Sequence, residues 1–277
     1  MSDVEGGPAS TGPATAGPAT GGPASTMSAE RRYGIAISVA LILGGVYWAL
    51  TSLSEDTKTS HQTYPVVGTA LSIETSSTDL QVRSGDVKQI TVDRKFERNA
   101  LGSDPKDKYD KGTLEVRDTG CGFLSFGCAT DYVVTVPKDL DVTIKTSSGD
   151  LTVIGLGGST TLESSSAKIE AHDLSGNLSM ESSSGDLEAV GLTSGSVTSK
   201  SSSGSVDLSF RAAPTTVDVV TSSGDASVQL PEGDETYQVD TSTKSGDEKA
   251  EVKTDPAATR TIKVRSSSGD AAVEYDR

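Results

Sequence analysis

Two histidines, two cysteines and many serines and acidic residues are the groups in this chain that could do chemistry. A serine nucleophile needs a histidine positioned beside it. The candidates are His61, in a polar stretch, and His172, in Glu170-Ala171-His172-Asp173-Leu174. His172 sits next to a turn and alternates outward from Ala171, so it reads as a solvated side chain. There is no Gly-x-Ser-x-Gly and no Gly-x-x-x-x-Gly-Lys-Ser/Thr, so neither the hydrolase elbow nor the phosphate loop is present. A glycosidase-type carboxylate pair could be drawn from many acidic residues, and nothing marks one pair out. No catalytic residue is assigned, and no cofactor is expected. So few His and Cys argue against a multi-ligand zinc or haem site.

The acidic residues form a pattern. Asp150, Asp186, Asp225, Asp247 and Asp270 each follow a glycine. If the turns that carry them stack, their carboxylates form a ladder. Ladders of this kind hold calcium in glycine-rich nonapeptide repeats. Here the period is about twice as long, and Lys168 and Ser205 interrupt the row. The competing reading is structural: Ser and Asp cap each turn through hydrogen bonds to backbone, and Gly supplies a positive φ.

Cys121 and Cys128 enclose Gly-Phe-Leu-Ser-Phe-Gly. In an exported domain two cysteines this close read as a disulfide; a redox pair would normally be Cys-x-x-Cys. Phe123, Leu124 and Phe126 make this loop unusually apolar for a chain with only four Phe. It either covers the end of a sheet or acts as a contact loop for lipid or a partner.

The positioning elements follow from a repeat. Ser-Ser-Gly-Asp occurs at 147–150, 183–186, 222–225 and 267–270, with variants at 76–79, 165–168, 202–205 and 244–247. Apolar residues hold fixed offsets from the third position: Ile144, Leu162, Met180, Val219 and Val264 lie five before it, and Leu151, Ile169, Leu187 and Val206 two after. Alternation on both sides of a turn means two short strands, each with one buried face. The unit recurs every 18 to 23 residues, and one coil cannot bury its own apolar face, so coils must stack. This predicts an all-β solenoid or β-roll over 65–277, with a plain sandwich as the alternative. Leu71 to Val82 carries the first copy. Ile90–Val92 and Thr113–Val116 read as strands around a charged loop, 97–111. Thr241 takes the place of an apolar residue, so the stack should loosen near 237–250.

Three segments precede the repeats. Residues 1–32 are a Gly/Pro/Ala/Ser/Thr-rich tail without material for a core, expected to be disordered. Residues 33–53 form an uncharged apolar run, about 31 Å long as a helix, which matches a bilayer core. Arg31-Arg32 before it and Glu55-Asp56 after it predict a single-pass helix with a cytoplasmic N-terminus and an extracytoplasmic C-terminal part. A cleaved signal would want a shorter run and an A-x-A-like site, which Ala49-Leu50-Thr51 does not supply. A twin-arginine signal competes for Arg31-Arg32, but Glu30 precedes the pair. Residues 54–64 read as a polar stalk. The net charge of −15 excludes nucleic acid as a partner.

Val134-x-Val136-Pro137, the unit from Val142 to Gly158, and the copies at 183–195 and 222–230 resemble a large bacterial group of β-strand-repeat domains labelled as adhesins, akin to head-GIN and toast-rack domains. The resemblance spans about 65–277. It implies a β-solenoid at the cell surface or in the envelope and carries over no catalytic residue. The expected function is therefore a membrane-anchored, non-catalytic binding module that engages an envelope polymer or protein. A structural or sensory (stress-response) envelope component is the alternative, followed by calcium-dependent polysaccharide binding.

Overall fold

Every second residue of the repeat is apolar, and no apolar stretch in it keeps a helical period, so the backbone has one way to bury that face: strands stacked on strands. The computed structural model describes residues 56–98, 106–117 and 130–276, all within the unit Leu50–Arg277. The tail 1–32, the apolar run 33–53, and Cys121, Phe123, Leu124, Phe126 and Cys128 lie outside the described residues. Among those described there is no helix long and apolar enough to cross a membrane.

The first part of the domain comprises β1 (Asp56–Pro65), β2 (Ala70–Thr75), β3 (Asp79–Gly85), β4 (Gln89–Arg98), β5 (Lys106–Asp110), β6 (Thr113–Arg117) and β7 (Thr130–Pro137). Two-strand coils follow: β8 (Asp141–Thr146) with β9 (Leu151–Ile154), β10 (Thr160–Ser164) with β11 (Ile169–His172), and β12 (Leu178–Ser182) with β13 (Leu187–Leu192). Next come β14 (Ser196–Ser201) with β15 (Val206–Phe210), and β16 (Thr216–Thr221) with β17 (Ala226–Leu230). The last are β18 (Gln238–Ser242) with β19 (Glu248–Glu251), and β20 (Thr261–Arg265) with β21 (Ala271–Tyr275).

From β8 onward, the first strand of each coil joins a ten-stranded sheet and the second an eleven-stranded sheet. Neighbouring coils pair in parallel and in register: Leu162 lies between Ile144 and Met180, and Ile169 between Leu151 and Leu187. The equivalent apolar positions named above are all buried, so the offsets do mark the inward faces. The fold is all-β with long parallel sheets.

Coil order departs from chain order at both ends. The coil β2–β3 sits between β6–β7 and β8–β9, and β20–β21 sits between β16–β17 and β18–β19. The second exchange follows from composition. Ile262, Val264, Ala271 and Val273 are fully buried and suit an internal coil, whereas β18 and β19 have no fully buried residue. The weak stretch near Thr241 is therefore the outermost coil of the stack, because a coil poor in apolar residues can be tolerated where only one side needs covering.

Two expectations are corrected. Within the span 54–64, expected as a stalk, the described residues from Asp56 onward form β1, paired antiparallel with β4 from Asp56↔Arg98 to Pro65↔Gln89. Within the span 97–111, Lys106–Asp110 is strand β5, closed onto β6 by the two-residue turn Lys111-Gly112 at φ 48° and 87°, the geometry that suits a tight hairpin. Polarity concealed both strands, because their inward side chains are polar. Tyr64 and Arg94 both donate hydrogen bonds to Asp107, whose side chain is 1 % exposed, and Arg94 also reaches Ser60 Oγ at 3.2 Å. Burial is the main cause raising the Tyr64 pKa, and the Asp107 hydrogen bond adds to it. This network joins β1 and β4 of one sheet to β5 of the other.

Candidate functional site

At the Ser-Ser-Gly-Asp edge the chemistry of each residue is taken up by the stack. Ser182 Oγ accepts the Gly185 N–H and Ser201 Oγ the Gly204 N–H, both at 2.8 Å, and Ser164 Oγ accepts from Ala167 at 2.8 Å. The capping hydroxyl of these three coils thus lies one residue upstream of the tetrapeptide; Thr221 and Ser266 hold the same position but donate instead to the carbonyl oxygens of Gly204 and Gly224.

The Asp ladder exists, and its oxygens face backbone. Asp79 Oδ1 accepts from Asp150 N at 3.0 Å, Asp186 Oδ1 from Ser205 N at 2.9 Å, and Asp225 Oδ1 from Asp270 N at 2.9 Å. Asp270 Oδ1 accepts in turn from Asp247 N at 2.8 Å. Ser205 Oγ takes the same role towards Asp225 N at 3.4 Å. Lys168 breaks the row, and its ammonium lies 2.5 Å from Glu170 and 3.0 Å from Glu188. Those two hydrogen bonds raise its pKa, and the same contact holds the Glu170 carboxyl below its usual range. Among the described residues no group of three or more His, Cys, Asp or Glu is arranged to hold a metal.

The expected positive φ is not what the turn glycines provide. Gly149, Gly185, Gly204 and Gly224 lack it; only Gly246 and Gly269, at 157° and 147°, have it. Close approach is the reason instead: a Cβ on Gly185 would overlap the carbonyl oxygen of Ala167, and one on Gly204 that of Gly185.

The two histidines are not brought together. His61 in β1 places Nδ1 2.6 Å from Asp93 Oδ1, while His172 lies in β11, with β4, β7, β3 and β9 between. The ends of the segment that contains Cys121 and Cys128 are described. Val116 is in register with Thr75, and Asp131 with Asp79.

A groove of about 650 Å³ crosses the outer face of the ten-stranded sheet, at the carboxyl ends of β6, β2, β8, β10 and β12. Its middle row, in register from strand to strand, is Glu115, Glu74, Lys145, Glu163 and Glu181. Lys145 is 2.7 Å from Glu163, and that hydrogen bond raises the lysine pKa. Serines 76, 147, 165 and 183 form a second row along it. Thr75 and Thr146 also line it; they are 7 % and 6 % exposed, and their hydroxyls have no hydrogen-bond partner among the described residues. Sequence inspection missed this site. Glu74, Lys145, Glu163 and Glu181 all lie four residues before the third turn position, but Glu115 belongs to a coil outside the repeat pattern.

A family model described as Toastrack DUF4097 matches residues 69–175 and 157–274. Solved structures show a distant likeness. A candidate cell adhesion protein from Clostridium sporogenes is 16 % identical, with 80 % of this chain and 100 % of that chain covered and a TM-score of 0.34. A candidate adhesin from Bacteroides fragilis is 14 % identical, covering 80 % and 99 %, at 0.48. A protein from Parabacteroides distasonis named for lipid binding is 15 % identical, covering 80 % and 97 %, at 0.42. No curated protein matches the chain. The two matched segments together span most of the chain and contain every Ser-Ser-Gly-Asp turn: the chain belongs to the Toastrack DUF4097 family.

Proposed function

We propose that this protein is a single-pass, membrane-anchored cell-envelope protein whose repeat domain is a non-catalytic, adhesin-like binding module outside the cytoplasm. The binding half rests on one observation: the groove over β6, β2, β8, β10 and β12 presents charged and hydroxyl side chains in register along a rigid stack, where a long ligand can be held at many points. The anchor half rests on the uncharged run 33–53, with Arg31-Arg32 before it and Glu55-Asp56 after it. Cys121 and Cys128 are proposed to be disulfide-bonded, with Phe123, Leu124 and Phe126 as a contact loop at the turn edge of the coil β6–β7. An envelope-sensing role is the second reading. It is favoured by β1, which starts three residues after the apolar run and is held by Arg94, Asp107 and Tyr64.

Protease added to intact cells or spheroplasts should remove an epitope at residue 277 and spare one at residue 1; the reverse pattern would sink the topology. A pull-down from envelope fractions tests binding: retention of a fraction by the wild type, and its loss on combined substitution of Glu74 and Glu181, supports the module. Mass spectrometry of the non-reduced protein tests the disulfide, and free thiols at both positions would refute it.

A further inference from the structure

We infer that the groove on the ten-stranded sheet holds one chain of a neutral, extended, β-linked polysaccharide, laid across the strands with about one sugar ring per coil. This rests on the reading of the domain as a binding module and names its ligand.

Charge points to a neutral ligand. In the middle row every glutamate has a lysine in a neighbouring strand. Lys108 is in register beside Glu115, Lys145 stands between Glu74 and Glu163, and Lys200 is beside Glu181. The row carries its own counter-charges, so an ionic ligand has to compete with them for each group it engages. A carboxylate paired with an ammonium still has lone pairs for a hydroxyl hydrogen. A polymer of neutral hydroxyls can therefore join the row without breaking a pair.

Spacing points to a chain of rings. Ser76, Ser147, Ser165 and Ser183 line the groove beside the charged row and are exposed. None of their hydroxyls has a hydrogen-bond partner among the described residues. Backbone hydrogen bonds from Ser148 N to Ser76 O, from Ser166 N to Ser147 O and from Ser184 N to Ser165 O keep these turns in step with the strands. A hydroxyl thus recurs once per coil, about every 4.8 Å. An extended β-linked sugar chain advances by nearly that step with each ring. An extended peptide shows the same face only at every second residue, about 6.8 Å apart, and falls out of step with the coils. Shape agrees: the five strands span about 19 Å, and a volume of about 650 Å³ over that length leaves a cross-section on the order of 35 Å², the width of a single chain. Among the described residues no aromatic ring lines the groove, so each sugar is held by hydrogen bonds alone and affinity accumulates along the chain.

The test is fluorescence anisotropy of the full-length protein in a detergent without a sugar headgroup. The neutral probes are labelled β-1,4-linked dimers and hexamers of glucose, mannose and N-acetylglucosamine. A glucosamine hexamer is the cationic comparison and a mannuronate hexamer the anionic one. At least one neutral hexamer is expected to bind ~10-fold or more tighter than its own dimer and than either charged hexamer. Its affinity should change by less than about 2-fold between about 0.05 and 0.5 M NaCl, because no net charge is being paired. Ser147→Ala combined with Ser165→Ala should weaken it by about 10-fold, the worth of the lost hydrogen bonds, with the melting temperature unchanged. Ser227→Ala, on the outer face of the other sheet, should not. Tighter binding of a charged hexamer that salt abolishes, or indifference to the serine pair, would overturn the assignment. Failure of every neutral hexamer while an envelope fraction is still retained through Glu74 and Glu181 overturns the ligand alone; loss of both overturns the binding module.

Discussion

A methyl group at Gly185 has nowhere to go, because the carbonyl oxygen of Ala167 fills the space. Gly185→Ala is therefore expected to cost about 3 kcal/mol, since the clash is with backbone that cannot rotate away. Gly195→Ala meets nothing within 4 Å and should shift stability by less than about 0.5 kcal/mol. Urea denaturation of both variants checks the pair. Ser199 is a second single-residue case. It lies fully buried between Met180 and Val219, and its hydroxyl has no partner among the described residues. Ser199→Val should raise stability by about 1 kcal/mol, because an unpaired buried hydroxyl costs roughly that much. A fall in the urea midpoint would show that the hydroxyl is satisfied after all.

Asp207 brings pH into play. Asp207 is exposed on β15; its partial desolvation there is the first cause raising its pKa, followed by repulsion from Glu188, Asp186 and Asp225. A carboxyl with a raised folded pKa keeps its proton more readily in the folded chain. Its contribution to stability therefore falls as pH rises from the unfolded carboxylate range near 4 through the folded value. Asp207→Asn should accordingly melt above the wild type at pH 7. The two should converge below about pH 4, where the carboxyl is protonated in both states.

At the scale of elements, β1 and β5 depend on one polar network. Asp107 accepts from Arg94 and Tyr64 in a site that is nearly closed to water. Removing one member of a buried ion pair costs more than replacing both, because a desolvated charge loses its counterpart. Asp107→Ala is expected to lower stability by about 3 kcal/mol and to speed hydrogen exchange across β1. The double variant Arg94→Met with Asp107→Leu should recover much of that loss. If the single and double variants are equally harmful, packing and not the ion pair joins the two sheets at this end.

For the whole molecule, the exchanged coil order makes the C-terminus an internal part of the stack. Removing residues 261–277 would strip away the coil between β16–β17 and β18–β19. Val217, Val219 and Val228, all buried, would then face the polar coil 238–251. The truncated protein should lose several kcal/mol, since each exposed Val or Ile side chain represents about 1.5–3 kcal/mol of burial. It should also bind a hydrophobic dye. A solenoid with coils in chain order would shed only its last coil and keep a closed core; unaltered melting of the truncated protein would contradict the exchange.

The repeat was legible because its physics is local. Period-two alternation about a Ser-Ser-Gly-Asp turn dictates two strands and their buried faces, and recurrence at near-constant spacing dictates stacking. Ile144, Leu162 and Met180 could be aligned on offsets alone, and they are in register. What tertiary structure alone decided is which coil lies beside which. Parallel coils built from one motif are interchangeable by local rules, so the choice falls to total burial: the apolar coil 261–275 goes inside and the polar coil 238–251 outside. The same limit hid β1 and β5, whose inward side chains become acceptable only when Ser60, Tyr64, Arg94 and Asp107 meet from three strands. It also hid the groove. Glu115 and Glu74 are 41 positions apart in the chain and adjacent in the sheet, and no periodicity reports a neighbour that only the crossing of coils creates.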